Sequence, residues 1–394
     1  MIDEVQFRRD DFDEVNERYF ATLRSGSEPF TDPSGWIETY SEAAALLPEI
    51  VIPSADLGRY YLDEGDTLGA TKDKIVSLVS AWENRIIVSR ELTLCHSVSA
   101  GTFLILVVLR RRGVRTIVFE TPGYAVTMNQ AEYLGFSTVL IPSYRADNFQ
   151  TTIVDRVLRS SPCAVWITQP RMSLGINQRV DEVKQIVNNL GAEGYLIVDE
   201  ATEQEFPSLL RAAEIGSHPN LIRIRGITKS MGLNGLRLAF ILHDASARDD
   251  FESGQEVVGG SLDLFSLRAA ALLAGDIPRF QMMLAAARHQ TTFLRARAAK
   301  VAAGSPVAIS PLVNGYMGSA WITFPEPSRY EEYRARLLAF CQERRTAVIL
   351  AASMRFAFDP SFEAVRINYF SRERHVLDGV KTLVEFAASL REPD

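Results

Sequence analysis

The sequence predicts an α/β protein: a mostly parallel β-sheet covered by helices, followed by a smaller α+β unit. Between about residues 70 and 275, short segments that are apolar at nearly every position alternate with amphipathic stretches. Strands of that kind are buried on both faces, the condition of a parallel sheet covered on each side by helices. After about residue 276 the pattern changes to one long helical stretch and then a mixture of strands and helices. At 394 residues, with 47% apolar and 23% charged residues, the chain fits two globular units.

Residues 1 to about 55 are rich in aromatics and acids and carry turn signals at Ser25-Gly26-Ser27 and Asp32-Pro33-Ser34-Gly35, so they read as an arm with a short helix. The predicted strands of the sheet are 92–95, 116–119, 138–141, 164–167, 195–198, 221–224 and 238–242, each short and rich in β-branched or aromatic residues. Apolar residues at helical spacing predict one helix from Pro278 to Ala303. Then come predicted strands at 320–324, 347–350 and 365–368, a helix around Tyr330 to Arg344, and a last helix from Arg372 to Leu390. The expected division is 1–60 as an arm with part of the small domain, 61–275 as the large domain and 276–394 as the small one.

Composition excludes several functions. The formal charge is −7 and no basic stripe with interleaved aromatics is present, which argues against a nucleic-acid partner. Arg110-Arg111-Arg112 reads as the solvated end of a helix. Cys95, Cys163 and Cys341 are odd in number and far apart, so neither a disulfide framework nor a metal site is expected. The five histidines are scattered and show no metal-binding spacing. Met1 to Val5 lacks the basic and apolar regions of a signal peptide, and the longest apolar run, Phe103 to Leu109, is too short to span a bilayer. The expectation is a cytoplasmic protein with no membrane partner.

The chemistry concentrates in Ile224-Arg225-Gly226-Ile227-Thr228-Lys229-Ser230-Met231-Gly232-Leu233-Asn234-Gly235-Leu236-Arg237. One lysine follows an apolar strand, with glycines and then an arginine after it. Glycines permit close backbone approach to a bound group, and an arginine fork suits a phosphate. The lysine is either a Schiff-base nucleophile or a surface residue in a glycine-rich turn. Upstream, Asp199 stands at the carboxyl end of a predicted buried strand, where ligands bind in parallel sheets. Ser99-Ala100-Gly101-Thr102 is expected to open a helix running from Phe103 to Arg112, a position whose free N–H groups bind phosphate. Tyr124, in Glu120-Thr121-Pro122-Gly123-Tyr124, puts a ring just beyond the next strand, and Arg366 sits in a late apolar strand, where a carboxylate is its natural partner.

In this order the motifs resemble those of fold-type I pyridoxal 5′-phosphate (PLP) enzymes of the class I/II aminotransferase family, from about Tyr60 onward. The resemblance implies that Lys229 carries PLP as an internal aldimine and moves protons. It implies that Asp199 pairs with the pyridine nitrogen and Tyr124 stacks on the ring. Arg237, Thr228 and the Ser99, Ala100, Gly101 and Thr102 cradle would hold the phosphate, with Thr202 counted among the cofactor contacts. Arg366 would bind the substrate α-carboxylate. Tyr61 is either the tyrosine sent into a neighbouring subunit's site or a packing residue, since such enzymes are typically homodimers with shared sites.

The pattern departs from the family at three points. Met172, in Gln169-Pro170-Arg171-Met172-Ser173-Leu174-Gly175, stands where an asparagine usually serves the cofactor's 3′-oxygen. Thr202 replaces the usual tyrosine, and Gly226 replaces a phosphate-binding serine. Losing two donors to one oxygen should raise the aldimine pKa. Arg171 and the Glu203, Glu205 pair read as solvated loop residues, or as contacts to a substrate. Arg18-Tyr19-Phe20 resembles the arm of capreomycidine-synthase-like cyclases, and Cys95-His96-Ser97-Val98-Ser99 is similar to a stretch of PLP-dependent arginine oxidases. The main expectation is an aminotransferase acting on an α-amino acid. The alternative is elimination, cyclisation or oxidation of an amino acid, such as one derived from arginine, in specialised metabolism.

Overall fold

The computed structural model describes residues 30–35, 39–54, 68–143, 163–215, 218–258, 262–356 and 358–390. Its main sheet has seven strands: β1 (Leu92–Cys95), β2 (Thr116–Thr121), β3 (Ser137–Pro142), β4 (Cys163–Thr168), β5 (Tyr195–Asp199), β6 (Leu221–Gly226) and β7 (Ala239–Leu242). They lie in the order β1-β7-β6-β5-β4-β2-β3. All neighbours pair in parallel except β7, which is antiparallel to both β1 and β6. The carboxyl ends of β1, β2, β4, β5 and β6 therefore share one edge of the sheet.

Helices cover both faces, as the apolar strands require. On one face α2 (Val98–Arg111) packs Leu104, Ile105 and Val108 into a core with Ile197, Ile222 and Ile224. On the other, α4 (Val180–Leu190) packs Val183 and Ile186 against Val165, Leu196 and Val198. α1 (Leu68–Glu83) closes the β1–β7 end with α7 (Leu264–Ala274). Of the helices between these, α3 (Ala125–Tyr133) follows β2, while α5 (Ala212–Ile215) and α6 (Arg248–Val258) flank β6 and β7.

The predicted helix at 278–303 is α8 (Ile277–Ala302), started by an Asp276 carboxylate that accepts from Arg279 N at 3.0 Å. It serves two cores. Phe280, Met283 and Leu284 pack with Trp82, whereas Leu294, Ala298 and Ala302 lie under a second, antiparallel sheet. That sheet runs β10-β9-β8, from β8 (Val307–Ile309), β9 (Met317–Thr323) and β10 (Phe362–Asn368), and is backed by α9 (Tyr330–Glu343) and α10 (Glu373–Ser389). β8 was not foreseen, and the expected strand at 347–350 is an extended buried segment with only isolated bridges. Its apolar side chains fill the core, but its backbone is shared between the arm and β10: Ala347 N donates to Thr31 O at 2.7 Å, and Ile349 O accepts from Arg366 N at 2.9 Å. No described helix is long and apolar enough to cross a membrane.

Between β6 and α1 lies a buried ionic cluster. Arg223 bonds Glu83 and Glu200, and Arg225 bonds Glu203 at 2.9 Å with its guanidinium 4.0 Å above the Trp82 ring. Ser208 Oγ lies 2.9 Å from both Glu200 and Glu203. Glu203, expected as a solvated residue or a substrate contact, is fully buried here, because the two strand arginines need carboxylates once α1 has removed them from water. Among the described residues, Glu83, Glu200 and Glu203 face Arg223 and Arg225. Burial and the neighbouring Glu200 push Glu203 up to about 7. A raised folded pKa gives stability that is fully present below the unfolded value and is lost as pH rises through the folded one. The melting temperature should therefore fall as pH rises through about 7, and Glu203→Gln should flatten that slope. Identical slopes in calorimetric scans of the two proteins would refute the assignment.

Candidate active site

β6 ends at Gly226, and three residues later the chain makes a single 3₁₀ turn, Lys229–Met231. Gly232 ends the turn in the left-handed region at φ 73°, where a Cβ would stand 2.8 Å from the Phe370 ring and 2.9 Å from Ser41. Only glycine meets both demands without strain. Thr228 Oγ donates to Leu236 O at 2.8 Å and pins the loop that follows. The turn delivers Lys229 to a cavity of about 260 Å³ at the carboxyl edge of the sheet.

The other walls come from separate elements. Ser97, Val98 and Ser99 line the cavity at the amino end of α2, with Ser97 capping the helix by accepting from Ala100 N at 3.1 Å. The helix thus begins at Val98 and not at Phe103 as expected, because Ser97 is the stronger cap. Of the expected cradle, Ser99 lines the cavity; Ala100, Gly101 and Thr102 do not. Thr102 is buried within the helix, its hydroxyl 2.9 Å from both Ser99 O and Gln130 Oε1. A Cβ on Gly101 would lie 2.5 Å from Ile224, so that glycine serves helix–sheet packing. The sequence signal for this start is Ser97 itself, a capping residue two positions after the apolar strand ends at Cys95.

Tyr124 begins α3, and its ring centroid lies 5.5 Å from Lys229 Nζ. Thr228, Arg237 and Asn234 line the same side, and Asn234 Oδ1 is buried without a hydrogen-bond partner. Arg366 reaches the cavity from β10, beside Asn368 and near Tyr316 and Met317 at the start of β9. Tyr316 and Met317 carried no signal in the sequence, since an isolated tyrosine and methionine read as core.

Asp199 ends β5 buried, one oxygen accepting from Ala201 N at 2.9 Å. Burial pushes its carboxyl up, and the charge of Lys229 opposes that push. Lys229 is held below its ordinary value by burial, with Arg366 and Arg237 acting the same way and Asp199 opposing. Burial likewise lowers Arg366.

Other expectations fare differently. Met172 lines the cavity and also packs in the main core. Thr202 is buried but is not among the lining residues; its carbonyl faces Gly315, where a Cβ would lie 3.0 Å away. Arg171, read as solvated or as a substrate contact, is buried 3.3 Å from both Glu120 and Glu182. Glu205 pairs with Arg288 at 3.0 Å. Neither Glu203 nor Glu205 lines the cavity. Tyr61 and Arg18-Tyr19-Phe20 lie outside the described residues.

The donor set fits PLP. It combines an amine whose deprotonation is favoured, an arginine and hydroxyls at a helix amino end for a phosphate, and a buried carboxylate beside the lysine. Asn234 Oδ1 adds an unmet polar atom in the wall. Replacing Gly232 by alanine should cost about 1–3 kcal/mol of folding stability, measurable by denaturant unfolding. An unchanged midpoint would remove the conformational argument for that glycine.

The family model for aminotransferase class I and II matches residues 64–311, more than half of the chain. The histidinol-phosphate aminotransferase of Oleidesulfovibrio alaskensis is 27% identical over 242 residues, covering 60% of this chain and 58% of that protein. That of Baumannia cicadellinicola is 25% identical over 150 residues, covering 38% and 41%. The chain thus spans about two fifths to three fifths of the curated relatives it matches. Among solved structures, the aspartate aminotransferase of Thermotoga maritima superposes with a TM-score of 0.74 at 15% identity, over 96% of this chain and 97% of the other. A double mutant of the Thermus thermophilus aspartate aminotransferase gives 0.77 at 12%, with the same coverage. The chain belongs to the class I and II aminotransferase family and has the fold-type I architecture.

Proposed function

We propose that the protein transfers the amino group of an α-amino acid, with Lys229 as the residue that bears PLP. One observation carries the reading: Lys229, Arg237 and Arg366 share a single cavity, and Asp199 is near enough to Lys229 for each to move the other's titration. When bound, PLP supplies an aldehyde that takes up amines and a cationic ring that draws electrons from the attached carbon.

The chain's own groups then have distinct tasks. Arg237, Thr228, Ser99 and the α2 amino end hold the phosphate. Asp199 holds a proton at the ring nitrogen; a cation there returns its carboxyl to the charged form that burial disfavours. Tyr124 packs against the ring. Arg366 orients the substrate by its carboxylate, a bidentate pairing strengthened by burial. Lys229 Nζ, whose charge burial and two arginines disfavour, accepts the proton leaving the substrate Cα.

Residues 61–275 would form the large, cofactor-holding domain, and 276–394 with part of the 1–60 arm the small one. The two cores served by α8 support that division. Arg237 is exposed on a single chain, which favours a homodimer in which a second copy covers the cavity mouth and contributes Tyr61. Histidinol phosphate, an amine that carries a phosphate ester where an α-amino acid has its carboxylate, is a second candidate donor because the curated relatives carry its name.

Borohydride reduction followed by peptide mapping should place the cofactor's mass on Lys229, and Lys229→Ala should lose both that mass and all turnover. Label elsewhere would refute the assignment. Cofactor attachment should quicken as pH rises and level off below 10.5, the ordinary lysine value, because the folded pKa is lowered. Mixed with single amino acids, arginine and histidinol phosphate, the enzyme should release one equivalent of oxo product and retain the amino group. Repeated turnover without an oxo-acid acceptor would instead favour elimination, cyclisation or oxidation. Arg366→Leu should raise KM for a carboxylate-bearing donor by about a hundredfold, the loss of a charge-assisted pair; an unchanged KM would free Arg366 from that role.

A further inference from the structure

The 3₁₀ turn bearing Lys229 is too short to satisfy its own outgoing carbonyls. Thr228 O and Lys229 O are used within the loop, by Met231 N and Gly232 N at 3.1 Å. The next three are held by side chains from other segments. Ser230 O accepts from Gln204 Nε2 at 2.8 Å, Met231 O from Ser41 Oγ, and Gly232 O from Thr39 Oγ at 3.3 Å.

Gln204 differs from the other two in what else it joins. It is buried in the loop that begins at Asp199. Its backbone N–H donates to Asn314 Oδ1 at 2.9 Å, and its Oε1 accepts from Thr291 Oγ of α8 at 3.3 Å. Asn314 in turn donates to Asn177 Oδ1 at 2.9 Å, and Gln169 Nε2 donates to the same oxygen at 3.0 Å. Asn314 lies just before Tyr316 and Met317, and Gln169 lies just before Met172; all three of those residues line the cavity. Three walls of the cavity therefore meet in one chain of amides, and Gln204 is its link to Lys229.

We propose that Gln204 is a positioning residue: through the Ser230 carbonyl it sets the reach of Lys229 Nζ relative to Asp199 and to the Tyr316 side of the cavity. The proposal rests on the reading of Lys229 as the cofactor-bearing residue. Amides do not titrate, so this tie holds across the pH range in which Lys229 and Asp199 change charge. Without the Gln204 donor, Ser230 O is left buried and unmet, and the turn must shift to find another partner. Lys229 moves with it.

The test compares the cofactor-loaded wild type with Gln204→Met, Gln204→Glu and Thr291→Val. Two quantities are read: the pH midpoint of the bound cofactor's absorbance without substrate, and kcat and KM for the amino donor. Gln204→Met should shift the midpoint and lower kcat at least tenfold, with KM held within about twofold, as misplacement of a catalytic group does. Gln204→Glu should show the same loss at neutral pH. Relative to wild type at the same pH, it should recover as pH falls and its carboxyl regains a proton to donate to Ser230 O. Thr291→Val removes the contact of Gln204 to α8, together with a bond to Arg288 O inside that helix, and should leave both readouts unchanged. If Gln204→Met does not fold, the pH-dependent recovery of Gln204→Glu decides. The inference is overturned if the Gln204 variants match wild type, or if Thr291→Val reproduces their change, since the effect would then be loosened packing. A wild type with no cofactor on Lys229 overturns the functional reading and this inference together, whereas a loaded wild type with indifferent variants overturns this inference alone.

Discussion

An amine can act as a nucleophile only when its charge is disfavoured, and at Lys229 the surroundings bring that about. The side chain is half-buried at the carboxyl edge of the sheet, within range of the charges of Arg237 and Arg366 and of one carboxylate, Asp199. Burial and the two guanidiniums act against the ammonium; Asp199 acts for it and is itself pushed toward the neutral form by burial. Lys229 lines the cavity and Asp199 stands behind its wall, and the rest of the architecture holds both there.

The sheet achieves this by direction. Five parallel strands, β2 to β6, and β1 end along one edge, so Asp199 at the end of β5 and Lys229 shortly after β6 come near each other although 30 residues separate them in sequence. The amino end of α2 arrives at the same edge because β1 runs parallel to β6, two strands away across β7. The second sheet supplies Arg366 from above, and α8 fixes its position by packing one half in each core. Behind the lysine turn, two kinds of buried polar structure keep the edge rigid. One is the ionic cluster around Arg223 and Arg225, whose charges must be paired once out of water. The other is the amide chain through Gln204 and Asn314, whose bonds carry no charge at all.

Periodicity made the main sheet legible. All seven predicted strands of that sheet fall within a residue or two of the observed ones, because an apolar run bounded by turns has few alternatives inside a covered sheet. Ala347 to Leu350 shows the limit of the same rule: the run is buried as its composition requires, yet it is no strand, because neighbouring backbone and not side chains decides pairing. The amino end of α2 failed differently. Ser99 to Thr102 is expected to open a helix running from Phe103, but Ser97 caps the helix earlier and Gly101 is needed for contact with Ile224. Arg171 and Glu203 read as solvated or as substrate contacts because their partners, Glu120 and Arg225, are distant in sequence.

The sequence by itself determined the α/β class, the order of the strands along the chain, and the residues whose chemistry is local: a lysine before two glycines and an arginine, an aspartate ending a strand, an arginine within a late one. Each of these rests on composition and spacing over a few residues, which folding does not rearrange. Only the tertiary structure decided which of them face one cavity, that Tyr316, Met317 and Ser97 join them, that Thr102 and Thr202 do not, and that Gln204 stands behind the lysine turn. Those facts depend on contacts between segments far apart in the chain. No local pattern encodes such a contact, because its partner is chosen by strand order and burial.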